Sequence, residues 1–283
     1  MPPILRFSRA RKVFGSLVAL DDLSLEVAAG EVFGLLGPNG AGKTTAVSLA
    51  VGLLAPDGGS VDIDGGPPTR AEVRTRIGVA PQSLALYDEL AGDENLRFFG
   101  RLQGLGGRRL SDRVDAALDF VGLSDRRGDR VATYSGGMKR RLNLAAAIIH
   151  EPPLLLLDEP TVGVDPQSRN AILDNILALK KQGRAVVYTT HYMEEAQKLC
   201  DRVAIIDRGR LLALDGVDGL IARHGGKSVV VAERDDGEMR VETEDPVAEL
   251  SRMQSAGKLR RFRVDRPDLE SVFLGLTGRS LRD

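Results

Sequence analysis

The stretch Gly37-Pro38-Asn39-Gly40-Ala41-Gly42-Lys43-Thr44-Thr45 carries the clearest chemistry in the chain. Its spacing, G-x-x-x-x-G-K-[ST], is that of a loop that cradles phosphates. Glycines let successive backbone N–H groups converge on anionic oxygens, and a following helix adds its positive end. Lys43 can reach terminal phosphates, and the Thr44 hydroxyl can ligate Mg²⁺. A second constellation is Leu154-Leu155-Leu156-Leu157-Asp158-Glu159, an apolar strand that ends in two acids. Beside a phosphate loop, Asp158 is expected to hold Mg²⁺, directly or through water, and Glu159 to polarise an attacking water. Without that loop, two acids after a buried strand are an ordinary structural feature.

These groups need strands and helices to hold them. Glu31–Leu36 is a nearly continuous apolar run that leads into the loop, and Lys43–Leu54 suits a helix. Leu23–Val27 alternates as a half-buried strand does, and Pro56-Asp57-Gly58-Gly59 is a turn cluster ahead of alternating Val61–Asp64. Ile77–Ala80 is a further short strand. Glu94–Leu102 and Ser111–Val121 have amphipathic helical spacing, with Ser111 placed as an N-cap. Gly137–His150 reads as a helix, Leu154–Leu157 as a strand and Pro166–Gln182 as a helix. Ala185–Thr189 then reads as a strand, Met193–Leu199 as a helix and Val203–Ile206 as a strand. Such alternation implies a mostly parallel sheet covered by helices. After about Gly216 the pattern changes. Ser228–Ala232 and Met239–Thr243 flank Asp236-Gly237, a hairpin signal, followed by a helix at Pro246–Ser255, a strand at Leu259–Val264 and a helix at Asp268–Leu276.

Composition excludes several classes of function. The chain has 283 residues, 42% of them apolar, and a formal net charge of −1, so neither a nucleic-acid binder's basic excess nor its basic stripe is present. Arg108-Arg109 and Arg260-Arg261 are expected on solvated faces. Cys200 is the single cysteine, expected as a buried structural thiol. No apolar stretch approaches the roughly 20 residues of a membrane helix, and the Pro- and Arg-bearing N-terminus has no apolar signal core. The chain is therefore expected not to enter a membrane by itself, although it could dock on something that does.

Tyr134-Ser135-Gly136-Gly137-Met138, shortly before the acidic strand, resembles the signature motif of ABC (ATP-binding cassette) ATPases. Other stretches match the same family. Phe14, in Lys12-Val13-Phe14-Gly15, resembles its adenine-stacking aromatic. Gln82, in Ala80-Pro81-Gln82, resembles the Q-loop glutamine, Val164-Asp165-Pro166 the D-loop, and His191 the switch histidine. The match runs from about Ile4 to Asp215. It departs at Met138, where the signature usually has Gln, and at Tyr134, where it usually has Leu. His150 and His224 fall in no motif and are expected to be structural or solvated. Thr190-His191-Tyr192-Met193-Glu194-Glu195-Ala196, Asp165-Pro166-Gln167-Ser168-Arg169 and the tail from Leu269 to Gly278 resemble the ATPase subunits of ABC-2 type exporters.

The resemblance implies an α/β phosphate-loop NTPase core with a mixed sheet, an antiparallel N-terminal β portion and a helical insertion. It also implies a small α+β C-terminal appendage. The cassette would occupy residues 1–215, its helical part about 87–150, and the appendage 216–283. ATP and Mg²⁺ are the implied ligands. Phe14, Gly37, Pro38, Asn39, Gly40, Ala41, Gly42, Lys43, Thr44 and Thr45 would bind nucleotide. Ser135, Gly136, Gly137 and Asp165 would complete the site of a second cassette. Thr44, Gln82 and Asp158 would hold the metal, and Glu159, His191, Lys43 and Gln82 would act in hydrolysis. Implied partners are a second cassette, expected in a homodimer, and a separate membrane permease, with no nucleic acid. The expected place is the cytoplasmic face of the membrane. Two other classes stay open at this level: a soluble ABC ATPase acting on ribosomes or DNA, and a low-turnover nucleotide switch.

Overall fold

The computed structural model describes residues 2–234, 237–257 and 259–278. The backbone divides into two compact units, Met1–Leu214 and Asp215–Asp283.

In the first unit, β1 (Leu5–Phe14) lies between β2 (Leu17–Val27) and the later β4 (Gly58–Ile63) in an antiparallel sheet. β3 (Val32–Leu36) runs into the phosphate loop and α1 (Lys43–Ala50). After the short α2 (Ala71–Arg74) come β5 (Ile77–Ala80), α3 (Gly92–Leu102), α4 (Gly107–Phe120) and α5 (Gly136–Ile148). β6 (Leu154–Asp158), α6 (Pro166–Lys181), β7 (Ala185–Thr190), α7 (Met193–Leu199), β8 (Arg202–Asp207) and β9 (Arg210–Gly216) follow. The large sheet has the order β5-β6-β7-β3-β8-β9, and the ladders from β5 to β8 are parallel.

Period-2 patterning gives this sheet two buried faces. Leu154 and Leu156 of β6, Phe33 and Leu35 of β3, and Ala185 and Val187 of β7 join one core with α1 and the antiparallel sheet. Leu155, Leu157, Val32, Val186 and Tyr188 face the other way, into a core shared with α5 and α6. A third core, including Leu96, Val114, Leu118 and Leu142, holds α3, α4 and α5 together. Tyr134 is buried there, and its hydroxyl donates to the Arg126 carbonyl at 2.7 Å. That contact accounts for a tyrosine where the signature usually has leucine: the ring fills the core and its polar tip is satisfied.

Several local expectations are corrected. α4 begins at Gly107 with Gly106 as its N-cap, so Ser111 is inside the helix, and its hydroxyl accepts from Arg97 at 3.3 Å. Gly58 and Gly59 belong to β4 and not to a turn. α1 ends at Ala50, just before Gly52 at φ 73°. β1 lacks a clean alternation because its register against β2 slips three times, between Phe7 and Ala10, between Ala10 and Lys12, and between Lys12 and Val13. Each bulge resets which residues face the core. Cys200 is partly buried as a residue, with its sulfur packed against Gly34, and burial pushes its thiol up. Its role is packing. His150 is set by its Nε2 against the Ile77 carbonyl at 3.2 Å.

In the second unit, α8 (Val217–His224) precedes β10 (Ser228–Arg234) and β11 (Gly237–Thr243), which pair antiparallel. Asp236 of the expected hairpin turn lies outside the described residues. α9 (Pro246–Ser255), β12 (Arg261–Asp265) and α10 (Leu269–Thr277) complete the unit, with the sheet in the order β11-β10-β12. Val230, Ala232 and Met253 form the small core between β10 and α9.

Candidate active site

The carboxyl ends of β3, β5, β6 and β7 all open on one edge of the parallel sheet. Loops after neighbouring parallel strands converge there, which is where α/β sheets place ligand sites. A cleft of about 630 Å³ lies over that edge. Phe14, Asn39, Gly40, Gly42, Lys43, Thr44, Thr45, Gln82 and Glu159 line it. Residues from four separate stretches of chain thus meet in one place. Leu17, Val18, Ala19 and Arg208 line it as well, and nothing in their local sequence marks them. Phe14 is 45% exposed at the rim of the cleft, with Lys12 Nζ 5.7 Å from its ring centroid.

The loop is shaped by close backbone approach. A Cβ on Gly37 would lie 2.3 Å from the Ile206 carbonyl oxygen, whereas one on Gly40 would meet nothing. Gly37→Ala must therefore displace the loop backbone, and Gly40→Ala brings only conformational strain at φ 78°. We expect Gly37→Ala to weaken ATP binding at least about tenfold, some 1.4 kcal/mol, and more than Gly40→Ala does. Calorimetric titration with ATP reads both. Equal affinities for the two variants would count against this account of the loop.

The buried centre is Glu159, 5% exposed. Its backbone has φ 47°, and its N–H donates to Thr189 at both the carbonyl (3.1 Å) and Oγ1 (3.0 Å). The parallel register that pairs Asp158 with Thr189 creates those bonds. Thr189 Oγ1 in turn donates to Asp158 Oδ1. One threonine thus orients both acids. Three groups then approach the Glu159 carboxylate: Lys43 Nζ at 3.4 Å, Gln82 Nε2 at 3.4 Å and His191 Nδ1 at 3.3 Å. The histidine contact lacks hydrogen-bond alignment. Lys43 also donates to the carbonyls of Gly37 (2.8 Å) and Pro38 (3.1 Å). Burial lowers the Lys43 pKa and the nearby Glu159 charge opposes that shift, so the carboxylate helps to keep the ammonium charged.

The Thr44 hydroxyl donates to Asp158 Oδ2 at 3.3 Å. This is a pair of hard oxygen donors beside the phosphate loop. Mg²⁺ takes one or two protein oxygens and completes its shell with phosphate and water, so the donor set fits that ion. The described residues hold no denser cluster of ligating side chains.

Ser135, Gly136, Gly137 and Asp165 do not line the cleft. Ser135 is the N-cap of α5 and accepts from the Met138 N–H at 3.2 Å. Ser135 and Gly136 are exposed, while Gly137 is buried, and a Cβ there would lie 2.1 Å from Ser168 Oγ. Asp165 caps α6 by accepting from the Ser168 N–H at 2.9 Å, a bond that lowers its pKa. The starts of α5 and α6 therefore pack together and present an open helix N-terminus. Sequence reasoning gave no role to Arg140 or Asn143. Arg140 donates to the Gln82 carbonyl at 2.5 Å and Asn143 to the Pro81 carbonyl at 3.2 Å, which ties the Gln82 loop to α5.

Comparisons with known proteins agree on the family. A family model described as ABC transporter matches residues 20–162. The linearmycin resistance ATP-binding protein LnrL of Bacillus subtilis (strain 168) is 39% identical over 99% of this chain and 100% of its own length. The Nod factor export ATP-binding protein I of Cupriavidus metallidurans is 41% identical over the whole of both chains. A solved structure described as the ATP binding subunit of an ABC transporter superposes with a TM-score of 0.72 at 29% identity, covering 78% of this chain and 93% of that one. A nucleotide cleft built on these strand ends, with matches of this length, shows that the chain belongs to the ABC transporter family as an ATP-binding subunit.

Proposed function

We propose that the chain is the ATP-hydrolysing subunit of an exporter, working as a dimer of cassettes beneath a separate membrane permease. The observation that carries the hydrolytic part is the Glu159 carboxylate, met by Lys43, Gln82 and His191 at the floor of the cleft. In this reading residues 1–215 are the cassette, with its helical part at about 87–150, and residues 216–283 are an accessory unit. Phe14 stacks on adenine. The loop Gly37–Thr45 wraps the phosphates, and Lys43 neutralises their charge. Mg²⁺ held by Thr44, Asp158 and Gln82 would supply further charge neutralisation on the phosphate oxygens. Glu159 takes a proton from water as the water oxygen bonds to the γ-phosphorus and the bond to ADP breaks. His191 braces Glu159 and the γ-phosphate. Ser135, Gly136, Gly137 and Asp165 serve the partner's nucleotide, because the open α5 N-terminus offers N–H groups to an anion. ATP bridging two cassettes favours a closed dimer that ADP does not hold.

Export is supported by the printed functions of the relatives. Linearmycin resistance and Nod factor export occur at nearly equal identity to this chain, so the cargo does not follow from the cassette. Among the described residues no helix is long and apolar enough to cross a membrane, which fits a subunit held at the cytoplasmic face by a permease. Co-expression with the membrane protein of the neighbouring reading frame tests this. The chain should be recovered with that protein in membranes, and its ATP turnover should change on pairing. Recovery of the chain alone, with unaltered turnover, would sink the transport half of the proposal.

A further inference from the structure

Glu195 is a buried carboxylate that the hydrolytic scheme does not use. It lies on α7, 3% exposed. Its Oε2 accepts from Tyr188 Oη at 2.6 Å, from Thr161 Oγ1 at 2.9 Å and from Thr190 Oγ1 at 3.3 Å. Arg169 Nε approaches its Oε1 at 3.3 Å, a charge contact without hydrogen-bond alignment. Three segments are thereby gathered on this α7 carboxylate: the loop after Glu159, the end of β7 that leads into the turn bearing His191, and the first turn of α6 behind Asp165.

The connection to His191 is short. Thr190 Oγ1 donates to Glu195 and accepts from the Tyr192 N–H at 2.9 Å, so the residues on both sides of His191 are tied to the same acid. The Tyr192 ring sits between the His191 ring, 4.1 Å centre to centre, and the Arg169 guanidinium at 4.9 Å. Burying a carboxylate is costly unless donors are collected around it. An apolar side chain would fill this space without that cost. A carboxylate adds direction, since each donor is admitted in one orientation only.

We propose that Glu195 is a positioning residue that sets His191 against Glu159 and links that setting to the Asp165 turn. This inference rests on the hydrolytic role assigned to His191. Glu195→Gln keeps the volume and an acceptor oxygen but turns an amide N–H₂ toward one of its cationic or hydroxyl partners, which misplaces the turn without emptying the core.

The test measures kcat, KM for ATP and melting temperature of the full chain for Glu195→Gln, His191→Ala and the double variant. Glu195→Gln should lower kcat about tenfold or more with KM unchanged, the pattern of an interaction felt in the transition state. The double variant should be no slower than His191→Ala, because both changes act through one group. Tyr188→Phe removes one donor and keeps the ring. It should lower kcat in the same direction by a smaller factor, and it takes the place of Glu195→Gln in the cycle if that variant does not fold. An unchanged kcat, a kcat loss that follows KM and melting temperature together, or multiplicative effects in the double variant would each overturn the proposal. Wild-type turnover in His191→Ala would instead remove the role of His191, and that of Glu195 with it. This pattern differs from a slow His191→Ala beside an unaffected Glu195→Gln.

Discussion

Glu159→Gln should lower ATP turnover by about 10²- to 10⁴-fold, the range for loss of a positioned general base, and leave ATP binding nearly intact. The amide has the shape of the carboxylate and keeps an oxygen for Lys43, which lies 3.4 Å away. It cannot take the proton of the attacking water. The backbone that aims the side chain is held by the two Thr189 bonds to the Glu159 N–H, which the substitution does not touch. Truncation to alanine would be a poorer experiment, because it leaves the buried Lys43 ammonium without its counter-charge and mixes stability with chemistry. Steady-state phosphate release beside a calorimetric ATP titration separates the two effects. With hydrolysis stopped, light scattering should also show ATP and Mg²⁺ doubling the mass, since the bridged dimer no longer resolves. Turnover within a few-fold of the unaltered chain would remove Glu159 from the role of base.

Ser135→Asp should lower turnover by about 10²-fold, comparable to losing one preorganised donor at a developing anion, while the isolated chain binds ATP as before. Aspartate caps a helix as well as serine does, so α5 keeps the bond to the Met138 N–H. What changes is the charge at an exposed helix N-terminus, from neutral to repelling a phosphate. In a head-to-tail dimer this damage appears in the partner's site. Mixing Ser135→Asp chains with Lys43→Ala chains should therefore restore activity that neither has alone. Each mixed dimer holds one site built from an intact loop and an intact Ser135, so random pairing should recover about a quarter of the original turnover. If Ser135→Asp alone turns over ATP normally, the cleft is complete within one chain and the shared-site proposal fails.

The chemistry of the phosphate loop and the acidic strand end was legible in the residues themselves. Gly37–Thr45 and Asp158-Glu159 are contiguous, and contiguous spacing determines which groups a local turn can present. The alternating strands and helices of the sheet were legible for a related reason: side chains that face one core recur every second residue, as in Leu154–Leu157. β1 was hidden because three register slips break that period, and the start of α4 was hidden because glycine, and not Ser111, begins the helix. Phe14, Gln82 and His191 were named only through a family resemblance, since one aromatic, one amide and one imidazole have no spacing to betray them. Tertiary structure alone decided that they meet. The register of β6 against β7 sets Thr189 under both acids, and the turn after β7 then brings His191 to 3.3 Å from Glu159. The phosphate loop therefore has its own residues from the sequence, but its buried neighbours come from strands far apart in the chain. Pairing across a sheet is a contest among all strands at once, and no single stretch of sequence carries its outcome.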